Sequence, residues 1–171
     1  MPILGIDPGI GVTGFSILDE DAAGRLTYRR SGDVRTDAKT PFPQRLKKIF
    51  DHILNVIDTD RPTAVALEDT FMSKNVKSAL KLGQARGAAI LAAAVRSLPV
   101  FEYSPTEVKM AVVGYGGASK TQVQQMVSHF LRLENPLQSE HCADAAAVAI
   151  CHAHSARFKR NIDRSVEGMR R

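Results

Sequence analysis

No apolar run in this chain approaches the roughly 18 to 20 residues that a membrane-spanning helix requires, so no bilayer-spanning segment is expected. Nor does the start, MPILGIDPGI, carry the basic segment that opens a secretory leader; it runs directly into a strand pattern. Cysteine is scarce. Cys142 and Cys151 lie nine residues apart in a stretch that reads as one helix. At about 1.5 Å rise per residue they stand roughly 13 Å apart, too far for a disulfide. A reduced, cytoplasmic protein with no membrane association is the expectation. Acid is missing from one long stretch: between Thr70 and Phe101 there are Lys74, Lys77, Lys81, Arg86 and Arg96 and no Asp or Glu. Such a one-signed stretch suggests a surface that faces phosphates.

What is present is ordinary for one globular domain: 171 residues, of which 44% are hydrophobic and 24% charged. The net charge of +5 is concentrated at the end of the chain. From Arg157 to Arg171 six basic residues face only Asp163 and Glu167, so the last 15 residues carry +4. We therefore expect one globular domain over residues 1–156 and a basic, flexible tail over residues 157–171. A basic tail alone is weak evidence for nucleic acid, because such tails are often merely solubilising.

Three strands are expected first, at Ile3 to Ile6, Val12 to Leu18 and Arg25 to Val34, joined by tight turns. Phe42 to Ile57 has apolar residues at helical spacing, and Ala64 to Leu67 is a short buried strand ending at Glu68. A long helix from Val76 to Leu98, a strand from Val100 to Tyr103 and three further helices complete the pattern. Two of those helices open with capping-box chemistry, at Ser104-Pro105-Thr106-Glu107 and Ser119-Lys120-Thr121-Gln122. The last opens near Ser139, is rich in alanine and is expected to end near His154. The order β-β-β-α-β-α-β-α-α-α implies an α/β fold: a mixed five-stranded sheet with helices on both faces, the layout of the ribonuclease H-like fold.

The chemistry is expected from acids in particular places. Asp7 ends the first strand, Glu68 ends the fourth, and Asp144 lies in the last helix with His141 one turn before it. Carboxylates at strand ends gather at one sheet edge, where a helix can deliver a third. Phosphodiester hydrolysis needs such a group: two hard cations about 3.5 to 4 Å apart clamp the attacking water and the leaving oxygen, and negative oxygens hold them. The alanines at 143, 145, 146, 147 and 149 let the helix approach the sheet closely. Taken singly, Asp7 before Pro-Gly reads as a turn residue, Glu68 as a solvated strand end and His141 as a surface residue. Only the combination points to a metal-dependent site.

Three other patterns mislead. Gly9 to Gly14 matches G-x-G-x-x-G, but a dinucleotide fold needs those glycines to open a helix, and Val12 to Leu18 reads as a strand. Gly114 to Thr121 nearly matches a phosphate-binding loop, but Ser119 stands where its glycine should and no strand precedes it. Cys142, Cys151, His152 and His154 share one helix and cannot wrap a zinc ion.

Five segments carry a family resemblance: GIDPG (Gly5 to Gly9), ALEDTFMSKN (Ala66 to Asn75), ALKLGQARG (Ala79 to Gly87), SPTEVKMAVVGYGGASKTQVQ (Ser104 to Gln124) and HCADAAAVAI (His141 to Ile150). In order and without large gaps, they resemble the RuvC family of crossover (Holliday) junction endodeoxyribonucleases. The resemblance implies a homodimer that binds a four-way DNA junction and nicks two opposing strands through metal-activated water. The products would be 5′-phosphate and 3′-hydroxyl ends, in recombination and repair, with a branch-migration helicase complex as partner. It implies that Asp7, Glu68, His141 and Asp144 hold Mg²⁺, two ions being expected. Some members carry Asp where this chain has His141; an imidazole is softer than oxygen and suits Mn²⁺, so Mn²⁺ is expected to substitute.

The resemblance also assigns Phe71 to stacking on bases at the crossover. Base stacking is worth about 1 to 3 kcal/mol; without the resemblance, a core role is the better reading of Phe71. Lys109 and Lys120 match basic residues near the scissile phosphate, Lys120 with a catalytic role, and Lys74 and Lys77 would flank the DNA cleft. Ala79, Gly83 and Gly87 lie four apart on one helix face, which either forms the dimer contact or packs on the domain's own sheet. Two other functions remain open at this stage. One is a ribonuclease H-like nuclease acting on RNA or hybrids; the other is a module that binds junctions without cutting, against which the three gathered acids argue.

Overall fold

The computed structural model describes residues 1–69 and 75–169. Phe71 and Lys74, two of the expected DNA-binding residues, lie outside the described residues. The strands are β1 (Pro2–Asp7), β2 (Val12–Glu20), β3 (Leu26–Arg35), β4 (Ala64–Glu68) and β5 (Val100–Tyr103). The helices are α1 (Phe42–Asp60), α2 (Val76–Val95), α3 (Pro105–Val113), α4 (Lys120–Phe130) and α5 (Glu140–Met169). The expected order and fold class are both observed. The sheet runs β3-β2-β1-β4-β5; β1, β2 and β3 pair antiparallel, whereas β1–β4 and β4–β5 are parallel. The G-x-G-x-x-G segment is a hairpin, as expected: Thr13 Oγ1 donates to the Gly9 carbonyl at 2.7 Å and closes the turn between β1 and β2.

Side-chain alternation divides the core into two layers. Leu4, Ile6, Phe15, Ile17, Val65 and Leu67 point to one face, where α1 packs Ile49, Ile53 and Val56 and α2 packs Ala85, Ala89 and Ala92. Ile3, Leu18 and Ala66 point to the other face, which α3, α4 and α5 cover. Between Cys142 and Ala153 nearly every residue of α5 is buried, the mark of a helix enclosed on all sides. Both cysteines are buried there and free. Among the described residues no helix is long and apolar enough to cross a membrane.

Both capping boxes form: Ser104 Oγ accepts from the Glu107 N–H, and Ser119 Oγ accepts from the Gln122 N–H, each at 3.3 Å. One boundary differs from expectation by more than a turn. Helix α5 does not stop near His154 but continues to Met169. Between Ser155 and Glu167 there is no glycine or proline to end it. Arg160, inside the stretch expected to be a loose tail, places Nη2 2.9 Å from Oε1 of buried Glu20.

Candidate active site

The same alternation aims the two strand-end carboxylates. Along β1, Ile3 and Gly5 face α5, so Asp7 does too; along β4, Ala66 faces α5, so Glu68 follows. The parallel pairing of Ile6 with Leu67 sets Asp7 and Glu68 side by side at the carboxyl ends of the two central strands. Two glycines then seat α5 on the sheet. A Cβ added at Gly5 would stand 1.9 Å from the Ala145 carbonyl oxygen, and one at Gly14 2.3 Å from that of His141. Helix α5 therefore rests on bare backbone, with alanines as its own contact, and delivers Asp144 and His141 to the strand ends.

His141 Nδ1 lies 2.7 Å from Oδ2 of Asp7. Lys120, the first residue of α4, places Nζ 2.9 Å from Asp144 Oδ2 and 3.1 Å from Glu140 Oε2. Asp7, Glu68, Asp144, Lys109 and Lys120 line one pocket of about 240 Å³, whose apolar wall includes Pro105, Val108 and Val123. The structure thus brings together Asp7, Glu68, His141, Asp144, Lys109 and Lys120. Among the described residues no three His, Cys, Asp or Glu side chains converge on one point as metal ligands would; Asp7 is engaged by His141 and Asp144 by Lys120.

Burial pushes the Asp7 carboxyl above its ordinary range; the hydrogen bond from His141 opposes this and the charge of Asp144 adds to it. Burial also raises Glu68, and the charges of Asp7 and Asp144 raise it further. Burial draws Lys120 down, but its hydrogen bonds to Asp144 and Glu140 outweigh that and leave it raised. For a carboxyl raised on folding, the two states are equally protonated below the unfolded value. Stability is then lost as pH climbs through the unfolded value to the folded one, and the loss persists at neutral pH. Glu68→Gln is therefore expected to match the wild type in unfolding temperature at about pH 4 and to exceed it at neutral pH, with chelator present. Thermal melts across pH check this; a variant less stable than the wild type at neutral pH would contradict it.

The site includes residues that sequence reasoning missed. Asp33 on β3 accepts from Ser139 Oγ at 2.7 Å, and Ser139 Oγ accepts from the Cys142 N–H at 3.1 Å, tying the start of α5 to the sheet. Asp33 and Ser139 are 106 positions apart, and no local signal links them. Glu140 was visible only as the acid before His141. The basic stretch after Thr70 is also less uniform than expected. Lys77 and Lys81 are exposed on α2, but Arg96 pairs with Asp58 at 2.6 Å. Arg86 turns inward onto Asp69 and Glu102. The small-residue face of α2 does not pack on the sheet: a Cβ added at Gly83 or Gly87 meets nothing within 4 Å.

Comparison with known proteins agrees with this architecture. The family model described as crossover junction endodeoxyribonuclease RuvC matches residues 3–152. A protein of that name from Geotalea uraniireducens is 51% identical over 156 residues, 91% of this chain and 90% of that one. Another from Trichlorobacter lovleyi is 47% identical over all 171 residues, 95% of its own length. Among solved structures, Thermus thermophilus RuvC in complex with Holliday junction substrate superposes with a TM-score of 0.89 at 36% identity, covering 93% of this chain and 96% of that one. With a matching fold, strand-end acids on a shared pocket and half its residues identical to such relatives, the chain belongs to the RuvC family of crossover junction endodeoxyribonucleases.

Proposed function

We propose that this protein resolves four-way (Holliday) DNA junctions by paired nicks, as a homodimer acting in the cytoplasm. The observation that carries the reading is one pocket that holds three carboxylates and two lysines, in a chain 36% identical to a RuvC solved with a Holliday junction. Hydrolysis breaks the bond between phosphorus and the 3′ oxygen: water adds to phosphorus, the 3′ oxygen leaves as a hydroxyl and the 5′ end keeps the phosphate. Such ends can be rejoined by ligation.

The donor set suits hard divalent cations. Three carboxylates and one imidazole gather at one end of the sheet, and burial and the charge of neighbouring carboxylates already raise Asp7 and Glu68. Asp7, Glu68, His141 and Asp144 would hold the metal, Mg²⁺ with two ions as the family resemblance implies. When bound, the ions supply positive charge that activates water and offsets the charge on the leaving oxygen. Asp144 would join this set by giving up its contact with Lys120, whose ammonium would then be free to meet a phosphate oxygen, with Lys109 on the same pocket wall placed to meet another. Lys77 and Lys74 hold the strand beyond, and Phe71 stacks on an unpaired base. The open face around Gly83 and Gly87, beside exposed Val76 and Leu80, supports α2 as the dimer contact. A branch-migration helicase complex is the partner that the family resemblance implies.

The test offers the protein a synthetic junction, a linear duplex and an RNA–DNA hybrid in parallel. Cutting of the junction alone, with ends that ligase can seal, is expected. Cutting of the hybrid alone would indicate a ribonuclease, and binding without cutting a scaffold. His141 adds a second expectation, because an imidazole ligand favours Mn²⁺ over Mg²⁺ relative to an all-oxygen site. Mn²⁺ should support cleavage at least as well as Mg²⁺, measured as initial rate against cation concentration; a strict Mg²⁺ requirement would contradict the role of His141.

A further inference from the structure

Arg86 lies outside the pocket but is ion-paired with Asp69, the residue that follows Glu68. Its Nη2 stands 2.9 Å from Asp69 Oδ1 and 2.8 Å from Glu102 Oε2, and its side chain is only 13% exposed. Both partners sit at the carboxyl end of the sheet. Glu102 belongs to β5, and the Asp69 N–H donates to the Tyr103 carbonyl at 2.7 Å, just past the last paired position of β4, Glu68 with Tyr103. The start of α2 is held separately, by Asn75 accepting from the Lys77 N–H at 2.9 Å. Arg86 lies 11 residues beyond Asn75, about 16 Å along the helix. Helix α2 therefore reaches the exit of β4 through Arg86, three turns into the helix.

An arginine is chemically suited to this place. Its guanidinium keeps its charge when buried, and one nitrogen, Nη2, meets both carboxylates as ion pairs. Its charge also balances Asp69 and Glu102, two carboxylates at the carboxyl end of the sheet. We propose that Arg86 is a positioning residue for junction cleavage: by clamping Asp69 and Glu102 it fixes the exit of β4, and so the direction in which Glu68 enters the pocket. This rests on the reading of the pocket as the cleavage site. Neutralising Arg86 frees Asp69 and lets the backbone at Glu68 turn, which loosens cation binding before it affects DNA affinity.

The experiment uses the full-length protein and the variants Arg86→Gln, Arg86→Lys, Asp69→Asn and Arg86→Gln/Asp69→Asn. Four quantities are measured: unfolding temperature, junction affinity in chelator, Mn²⁺ affinity of the protein alone by calorimetry, and single-turnover cleavage rate. Arg86→Gln is expected to weaken Mn²⁺ binding and slow cleavage by about 10- to 100-fold, the range seen when a group that orients a metal ligand is lost. Junction affinity should stay unchanged. Asp69→Asn should give the same losses, the double variant should be no worse than the worse single, and Arg86→Lys should recover part. The proposal is overturned if Arg86→Gln keeps wild-type Mn²⁺ affinity, or if the losses from the two single variants add. If Arg86→Gln fails to fold, Asp69→Asn, which leaves Arg86 on Glu102, decides by the same readouts. A wild type that does not cut junctions would sink the proposed function, while the Mn²⁺ affinities would still decide the role of Arg86.

Discussion

Asp7→Asn is expected to lower junction cleavage by about three orders of magnitude, with junction binding retained and the unfolding temperature no lower than that of the wild type. The size follows from the chemistry: charge stabilisation by a bound cation is worth several kcal/mol, and each ~1.4 kcal/mol is a factor of ten in rate. An amide has nearly the shape of the carboxylate but not its charge, so the Asp7 position next to His141 and Glu68 is kept while the cation is lost. Stability should not suffer, because burial already disfavours the ionised Asp7 side chain. Binding should persist because phosphate contacts come from lysines; removing an acid from a DNA-facing pocket can only reduce repulsion. Cleavage rate, junction affinity and thermal melting on one preparation check all three. A parallel loss of cleavage, binding and stability would mean that Asp7 is structural.

Gly5→Ala is expected to be the most damaging single methyl added to this fold. The new Cβ would fall 1.9 Å from the Ala145 carbonyl oxygen and 3.0 Å from the Ala149 Cβ, and backbone cannot step aside as a flexible side chain can. Overpacking of this kind costs about 3 kcal/mol or more, which for a chain of this length is roughly 6 to 12 °C in unfolding temperature. Relief requires α5 to lift from β1, and Asp144 is the residue before Ala145. A shift of about 1 Å at a catalytic group costs on the order of 100-fold in rate, so cleavage should fall even where the variant remains folded. Gly11→Ala, in the turn before β2, is the control: its Cβ meets nothing within 4 Å and its φ is not positive. Thermal melts of the two variants should therefore separate widely; equal melting would mean that α5 does not rest on Gly5.

Much of this was legible in the chain because the signals are local. Alternation in β1 and β4, the boxes at Ser104 and Ser119, and an alanine-rich last helix each depend on a few neighbouring residues. Asp7 and Glu68 stood out because strand ends are where a sheet presents side chains to a ligand, and Asp144 because it is the acid in an otherwise alanine-lined helix. What was not legible depends on distant partners. The inward turn of Arg86 needs Glu102 on another strand, and the anchoring of Ser139 needs Asp33 on β3. Counting charges along the segment after Thr70 therefore overstated its basic surface. The end of α5 was misplaced for another reason: composition changes from alanine to charged residues after His154, but a polar composition does not stop a helix without a glycine or proline.

The most direct measurement is strand-resolved mapping of cleavage on an end-labelled four-way junction, each of the four strands labelled in turn, in Mg²⁺ and in Mn²⁺. A dimer with one pocket per subunit predicts nicks at symmetry-related positions in two opposing strands of like polarity, both lost together in Asp7→Asn. Nicks scattered over all four strands, or equal cutting of the linear arms, would contradict the account of a junction resolvase.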